Sequence, residues 1–502
     1  MLFPLVFHMT EKITHLAYSA ERANYQNYGL VLGPLFFVLM MLSADTQTTM
    51  SPVAWNTAGV ALWMATWWST EAVPVPITAF LPIVTFEMLD IASLKEAAAP
   101  YSNPIIYLFL GAFILALAVE RWNLHKRIAL LILEKTGTDG RKLILGFMVV
   151  AALLSMWMTN TSTTMMLMPI ALSVATVIIE NTPQLSDKQK AQFQIAILLG
   201  LAYAATIGGL ATLVGTPPNA LLAAFLVDNY GIEVSFARWM LVGVPVMVVM
   251  LPICWWALTR VLYRVAIPAN DKVNAHIKSL KAELGPMSAP EKRVAIVFSL
   301  VVVLWMLRRP LTSYFNIEGL SDAGIVMAAA MVLFILPSGS QSQAQLMTWH
   351  DVNRLPWGVL VLFGGGLSLA SAFSSSGLAL WLGESISPIA LWSVVILIIA
   401  ATGLVIFLTE ITSNLATTAT FLPVMGAIAV QGDINPLLLC VPITLAASCA
   451  FMLPVATPPN AIVFSSGKLS IPQMVRAGVM LNIIGLLLIT VIAVWWAPLI
   501  LL

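Results

Sequence analysis

The sequence predicts an all-α polytopic membrane protein built from two repeats of opposite topology. Three observations predict it. Of 502 residues, 60% are hydrophobic and 9% charged, against about a quarter charged in typical soluble domains, and the mean hydropathy is +0.92. The apolar residues come in long runs without the alternation of half-buried strands. Two polar motifs recur in the same order about half a chain apart. A soluble chain this apolar would have no surface to offer water, so lipid is its solvent. That excludes secreted, nuclear and cytosolic enzymes, disordered chains and disulfide scaffolds. A net charge of +1 gives no reason to expect nucleic acid. Cys254, Cys440 and Cys449 lie in apolar stretches and read as small buried residues, not a disulfide or metal set.

Residues 1–28 hold His8, Lys12, His15, Glu21 and Arg22. They lack the cationic start, apolar core and cleavage site of a signal peptide and read as a short cytoplasmic lead. Apolar stretches able to enter a bilayer follow at about 29–45, 54–69, 73–90, 104–119, 143–180, 192–227, 236–263, 294–307, 323–337, 357–373, 390–430, 435–465 and 473–500. A helix satisfies its own backbone in lipid, so these are helices. The stretches 143–180, 192–227, 390–430 and 435–465 are interrupted. The first and third read as re-entrant hairpins, the second and fourth as broken helices. The first helix and first repeat then cover roughly 29–264, a cytoplasmic linker 265–293, and the second repeat 294–502. If both hairpins leave on the side they enter, all but four of the 24 Lys and Arg lie inside. The four outside are Lys95, Arg238, Arg308 and Arg309. Charge therefore supports about eleven crossings plus two hairpins, with the N-terminus cytoplasmic and the C-terminus outside. The linker, with Asp271, Lys272, Lys278, Lys281 and Glu283, reads as an amphipathic, solvated connector.

The repeat rests on two matches. Met158 to Thr164 parallels Thr412 to Thr418, and Gly215 to Ala220 parallels Ala456 to Ala461. Asn160 and Asn414 are 254 positions apart, Asn219 and Asn460 241. Upstream of the first hairpin stands the basic segment Arg121 to Arg127, whereas its counterpart Ser374 to Ser387 has no Lys or Arg. The positive-inside rule puts these equivalent segments on opposite faces. Opposite topology of two repeats marks many secondary transporters.

The motifs carry chemistry. Pro217 and Pro218 lack N–H groups and clash with a continuing helix, so the helix breaks at membrane depth, and Pro458 and Pro459 do the same. Such a break is tolerated where it lines a cavity or binds something. Its free carbonyls suit a small hard cation, its free N–H groups an anion. At the hairpin tips, Ser155, Thr159, Asn160 and Thr161 cluster in one half and Thr409, Thr412, Ser413 and Asn414 in the other. The four-residue spacings Ser155–Thr159 and Thr409–Ser413 predict one shared helix face for each pair. These are neutral oxygen donors with amide N–H groups available to an anion. The alternative is simple back-bonding of Ser and Thr to the helix.

With these motifs in place, the chain resembles the divalent anion/sodium symporter family, which includes bacterial sodium/dicarboxylate symporters and the mammalian sodium-coupled dicarboxylate, citrate and sulfate carriers. The resemblance runs from about residue 29 to the C-terminus. It implies Ser-Asn-Thr tips on two re-entrant hairpins and two Na⁺ ions flanking one substrate. By motif, Ser155, Thr159, Asn160 and Gly215 would form the first sodium site. Thr409, Thr412, Asn414 and Ala456 would form the second, partly through backbone carbonyls. Asn160, Thr161, Thr216, Ser413, Asn414, Thr457 and Pro458 would face the substrate. It also implies a homodimer in the cell (inner) membrane, an elevator-like motion, Na⁺ as the co-transported ion and no organic cofactor. The substrate would be a C4-dicarboxylate such as succinate or malate, with exchange, sulfate or citrate as alternatives. Two positions depart from the family pattern: Thr159 stands where Ser is usual, and Leu415 where Thr is usual.

None of the motif positions is Arg, Lys or His. A bare dianion at the bilayer midplane is costly, so co-bound cations and helix N-termini must offset its charge, and the coupling is reciprocal. Glu410 can carry protons, offset Na⁺ charge, or bond neighbouring backbone as a structural acid, and the sequence leaves these open. An intramembrane enzyme would need a base, nucleophile or metal set. The histidines His8, His15, His125, His276 and His350 fall in predicted loops, no metal-binding Cys pattern occurs, and Gly364 to Gly366 read as helix-packing glycines. A channel would need a continuous pore.

Overall fold

The computed structural model describes residues 22–316, 319–340, 343–385 and 393–501. Most of the proposed lead and the first residues of the second hairpin, 390–392, lie outside the described residues.

The first helices are α1 (Asn24–Leu42) and α2 (Pro52–Thr70), the latter capped by Ser51, whose side chain accepts from Ala54 N. Proline-rich sequence then gives two short helices, α3 (Val75–Thr78) and α4 (Leu81–Thr85). A capped turn, α5 (Leu94–Ala98), leads into α6 (Pro104–Arg121) and the amphipathic α7 (Leu124–Thr136). The first hairpin is α8 (Gly140–Ser155) and α9 (Asn160–Glu180). The first interrupted helix is α10 (Asp187–Gly209) and α11 (Pro217–Tyr230), followed by α12 (Phe236–Trp256). Then come α13 (Asp271–Glu283), α14 (Ala289–Phe315) and α15 (Asp322–Ile335). After them lie α16 (Trp357–Ser375) and α17 (Leu378–Ser385). The second hairpin is α18 (Val394–Leu408) and α19 (Asn414–Gln431). The second interrupted helix is α20 (Leu437–Ala447) and α21 (Pro458–Phe464), and α22 (Ile471–Val491) and α23 (Ala497–Leu501) close the chain.

Among the described residues, eight helical stretches are long and apolar enough to cross a bilayer. The protein is a mostly helical, multi-pass membrane protein. A short antiparallel hairpin, Pro337–Ser340 with Gln343–Gln345, departs from the all-α expectation. Pro337 cannot continue a helix, Gly339 sits at φ +74°, and the polar run that follows has no apolar face to bury.

The two helices that lead into the breaks are the most enclosed. Every residue of α10 from Ile195 to Gly209 is buried, and so is all of α20 except Leu438. A helix apolar all round belongs in a core. Close approach is built in: a Cβ on Gly208 would lie 2.3 Å from Ala152 O, so α8 and α10 touch backbone to backbone. Gly364 and Gly365 of α16 likewise admit the Tyr101 ring and the Ala79 backbone, as helix-packing glycines should. The two halves interlock, because α9 packs against α21 and α11 against α19.

Two readings need correction. The 265–293 linker is amphipathic as expected, but its apolar face is docked on the protein and not free in solvent. Its helix α13 buries Val273 and Ile277 and packs on α7 and α9, with Lys281 paired to Glu134 at 2.6 Å and His276 Nε2 2.8 Å from Ser173 Oγ. The amphipathic spacing was visible in the sequence; the surface its apolar face docks on was not. Nor are the histidines all in loops. His276 is on α13, and His125 lies on α7, 2% exposed, its Nδ1 3.0 Å from Val119 O.

Gly208→Ala tests the backbone contact. Helix propensity alone would favour Ala by about 1 kcal/mol, but overpacking costs about 1–3 kcal/mol, so the melting temperature in detergent should fall. A rise would show that α8 and α10 are not in contact there.

Candidate functional site

The first hairpin turns at residues 156–159. Thr159 is the N-cap of α9, its hydroxyl accepting from Ser162 N at 3.1 Å. The second turns at 409–413, and Ser413 precedes α19 without a side-chain cap bond. The expected shared helix faces do not form, because each helix stops before its second member: α8 ends at Ser155 and α18 at Leu408. The pairing is one residue longer. Ser155 Oγ donates to Asn160 Oδ1 at 2.5 Å, and Thr409 Oγ1 lies 2.8 Å from Asn414 Oδ1. The first turn of each following helix is pinned alike: Thr164 donates to Asn160 O and Thr418 to Asn414 O, both at 2.8 Å.

Each tip meets the break of its own half. Thr212 Oγ1 donates to Met156 O at 2.6 Å and accepts from Gly215 N at 3.0 Å. A Cβ on Gly209 would lie 2.7 Å from Asn160 Oδ1 and 3.1 Å from Gly215 O, so these oxygens converge on the glycine. In the second half Thr409 Oγ1 also lies 2.8 Å from Ala447 O. The breaks themselves are braced by the asparagine of each Pro-Pro-Asn motif. Asn219 Nδ2 donates to Gly209 O (3.1 Å), Leu210 O (3.3 Å) and Thr212 O (2.7 Å). Asn460 Nδ2 donates to Ala450 O (3.4 Å) and Leu453 O (3.0 Å). Gly209 and Ala450, and Thr212 and Leu453, are both 241 positions apart, so the hydrogen bonds repeat with the sequence.

The structure thus brings Ser155, Asn160 and Gly215 together, and Thr409 with Asn414. Ala456 is buried at the end of the second break, its N–H bonded to Leu453 O at 3.2 Å. The hydroxyls of Thr159 and Thr412 are already engaged, the first as a cap and the second with Leu408 O (3.0 Å) and Thr417 Oγ1 (2.6 Å). Thr161, Ser413 and Asn414 are half-buried, Thr216 and Thr457 buried, and Pro458 exposed. Leu415 is 5% exposed and part of the apolar core, unlike its counterpart Thr161. Hydroxyl, amide and carbonyl oxygens gathered this way suit a small hard cation. The N-terminal ends of α9 and α19 carry partial positive charge that suits an anion.

Glu410 bonds the backbone of the second break, as a structural acid does. It is 3% exposed. Oε1 accepts from Phe451 N (2.8 Å), Met452 N (2.9 Å) and Asn482 Nδ2 (2.7 Å), and Oε2 from Met452 N (3.0 Å) and Leu453 N (3.1 Å). Sequence reasoning missed Asn219, Asn460 and Asn482 as bracing residues. For the first two, their matched places after the paired prolines were the available signal. It also missed Trp157, which stacks at the first tip on Phe236 and Trp305 with Phe298 edge-on. Its counterpart Ile411 is 63% exposed.

A multi-pass helical fold whose two interrupted helices face two helical hairpins over neutral oxygen clusters defines a membrane transport protein, not an enzyme. Residues 26–502 match the family described as the sodium:sulfate symporter transmembrane region, and the chain belongs to that family, as the motif resemblance anticipates. The sodium-dependent dicarboxylate transporter SdcS of Staphylococcus saprophyticus is 40% identical over 480 residues, covering 94% of this chain and 92% of that protein. SdcS of Staphylococcus aureus is 41% identical over 485 residues, covering 95% and 92%. The crystal structure of the Alcanivorax borkumensis YdaH transporter is similar in fold, with a TM-score of 0.51 at 13% identity over 89% of this chain and 99% of that one.

Asn219→Ala removes the amide donor from Gly209 O and Thr212 O and leaves Leu210 O to Trp239 Nε1 alone, and Asn460→Ala removes it from Ala450 O and Leu453 O. Each should lower stability by about 1–3 kcal/mol and cut uptake severalfold, read by melting temperature and proteoliposome transport. Wild-type values for both would show that the breaks hold themselves.

Proposed function

We propose that this chain is a Na⁺-coupled carrier that takes a small dianion, a C4-dicarboxylate such as succinate or malate, across the cell membrane. The observation that carries the reading is the duplicated pairing of an asparagine-bearing tip with a braced break, free of any basic residue among the candidate positions. One Na⁺ sits with Ser155, Asn160, Gly215 and the Thr159 backbone. The other sits with Thr409, Asn414, Ala456 and the Thr412 backbone. The dianion lies between them against Asn160, Thr161, Ser413 and Asn414, with Thr216, Thr457 and Pro458 at its edges. Each Asn amide offers an oxygen to a cation and an N–H to the anion. Because the site holds no fixed cation, Na⁺ supplies the charge that makes the dianion tolerable there, and cation and anion bind cooperatively.

The same reading arranges the chain as two inverted repeats, with about eleven crossings and two re-entrant hairpins, the N-terminus cytoplasmic and the C-terminus outside. The hairpins and interrupted helices move as one body in an elevator-type cycle, within a homodimer. The names of the SdcS proteins, at 40–41% identity, support sodium and dicarboxylate as the pair of ligands.

Succinate uptake into proteoliposomes should run in Na⁺ and fall to background in choline at equal ionic strength. Equal rates would overturn the coupling and point to exchange or proton coupling. Asn160→Ala and Asn414→Ala should each abolish uptake while the protein still elutes as a single folded species. Near-native uptake by either would remove that tip from the site.

A further inference from the structure

We infer that the two cation sites are unequal, and that the buried carboxylate of Glu410 makes the second the stronger and the first to fill. The inference rests on the two-site reading above and concerns the order in which Na⁺ enters.

The two halves differ at one position beside the cation ligands. Glu410 follows Thr409, and the residue at the matching place after Ser155 is Met156, buried and uncharged. The difference follows from the backbone. The first break spans residues 210–216, the second 448–457, because α20 stops at Ala447 whereas α10 continues through the residues that match 448–450. In the first break, Leu210 N and Ala211 N bond back to Ile207 O and Gly208 O at 3.2 and 3.1 Å. The matching N–H groups of the second break, Phe451 and Met452, turn with Leu453 onto Glu410. A longer break thus leaves N–H groups that need an acceptor, and a carboxylate supplies it.

The charge has a second consequence. All contacts of Glu410 are N–H donors, three backbone groups (Met452 N shared between both oxygens) and the Asn482 amide. None is a Lys, Arg or His, so the negative charge is not cancelled by a fixed cation in contact with it. The carboxylate oxygens are fully taken by these donors and do not themselves ligate Na⁺. Their field acts through space on the Thr409 hydroxyl, one residue away along the chain, and on the Asn414 and Ala447 oxygens that lie 2.8 Å from that hydroxyl. Glu410 is therefore a positioning residue for the second break and an electrostatic one for the cation beside it. A unit charge at an effective dielectric of about 20 is worth about tenfold or more in cation affinity out to about 12 Å. The first site has no such charge and fills second, together with the anion.

Two measurements test this. In Na⁺-activation curves of succinate uptake, Glu410→Gln keeps size and one acceptor but removes the charge. Half-saturating Na⁺ should rise roughly tenfold or more, while half-saturating succinate at high Na⁺ changes little. Glu410→Asp, which retains the charge, should recover part of the shift. If Glu410→Gln fails to fold, the wild-type order is read from thermal stabilisation by Na⁺ without anion. At low Na⁺, Ser155→Ala should keep that stabilisation and Thr409→Ala should lose it. An unshifted Na⁺ curve in Glu410→Gln, or equal loss in Ser155→Ala and Thr409→Ala, overturns the inference. A wild-type protein indifferent to Na⁺ would instead overturn the two-site reading itself.

Discussion

Lipid offers no hydrogen-bond partner, and the rest of this structure depends on how it satisfies the backbone groups freed where two helices are broken. Paired prolines at 217–218 and 458–459 make each break unavoidable. In hydrocarbon, each unpartnered group would cost several kcal/mol. The protein answers with side chains from the same neighbourhood. Asn219 and Asn460 fold back on carbonyls of the preceding helix ends, Thr212 ties one break to Met156 O, and Glu410 gathers the N–H groups of the other. The breaks are also walled off, since the helices entering them are buried along most of their length. Only with the backbone satisfied can the remaining oxygens be left free for ions.

That division of labour separates bracing residues from facing residues. Thr159 caps a helix and Thr412 bonds its own hairpin, so their hydroxyls serve the fold. Asn160 and Asn414 keep their amide N–H groups uncommitted while their oxygens meet a hydroxyl. In the proposed site the facing set is neutral, so its preference for an anion comes from helix ends and from whatever cations accompany it. A carboxylate held by N–H donors, as at position 410, adds negative charge to the second break. It therefore favours the cation and leaves the anion to enter last.

Much of this was legible in the sequence. The long apolar runs fall on helices, the interruptions on the hairpin turns and proline breaks, and the matched motifs on matched hydrogen bonds. What was not legible depended on three-dimensional neighbours. Spacing along a helix could not reveal that α8 stops at Ser155, so Ser155 pairs with Asn160 and not with Thr159. The amphipathic spacing of the 265–293 segment could not say where Val273 and Ile277 dock, because their burial needs the faces of α7 and α9. A single Glu between Thr and Ile says nothing of which backbone it serves until residues 451–453 and Asn482 are seen around it. The aromatic stack at Trp157 joins residues from three helical segments far apart in sequence.

Comparing the halves shows what the duplication must keep and what it can change. Positions that satisfy backbone groups repeat: Asn219 with Asn460, and Thr164 with Thr418. The backbone problem is the same at both breaks, so its solution is the same. The positions that differ lie at the tips. Met156 stands where the second motif has Glu410, Trp157 where it has Ile411, and Thr161 where it has Leu415. One tip is held by an aromatic stack against α12 and α14, the other by a buried carboxylate against its own break. One offers a half-buried hydroxyl at its first turn, the other an apolar side chain sunk in the core. In the proposed site, matched hydrogen bonds with different tips let the two hairpins bind with unequal strength. Unequal strength gives a pair of otherwise equivalent sites a direction in which to fill.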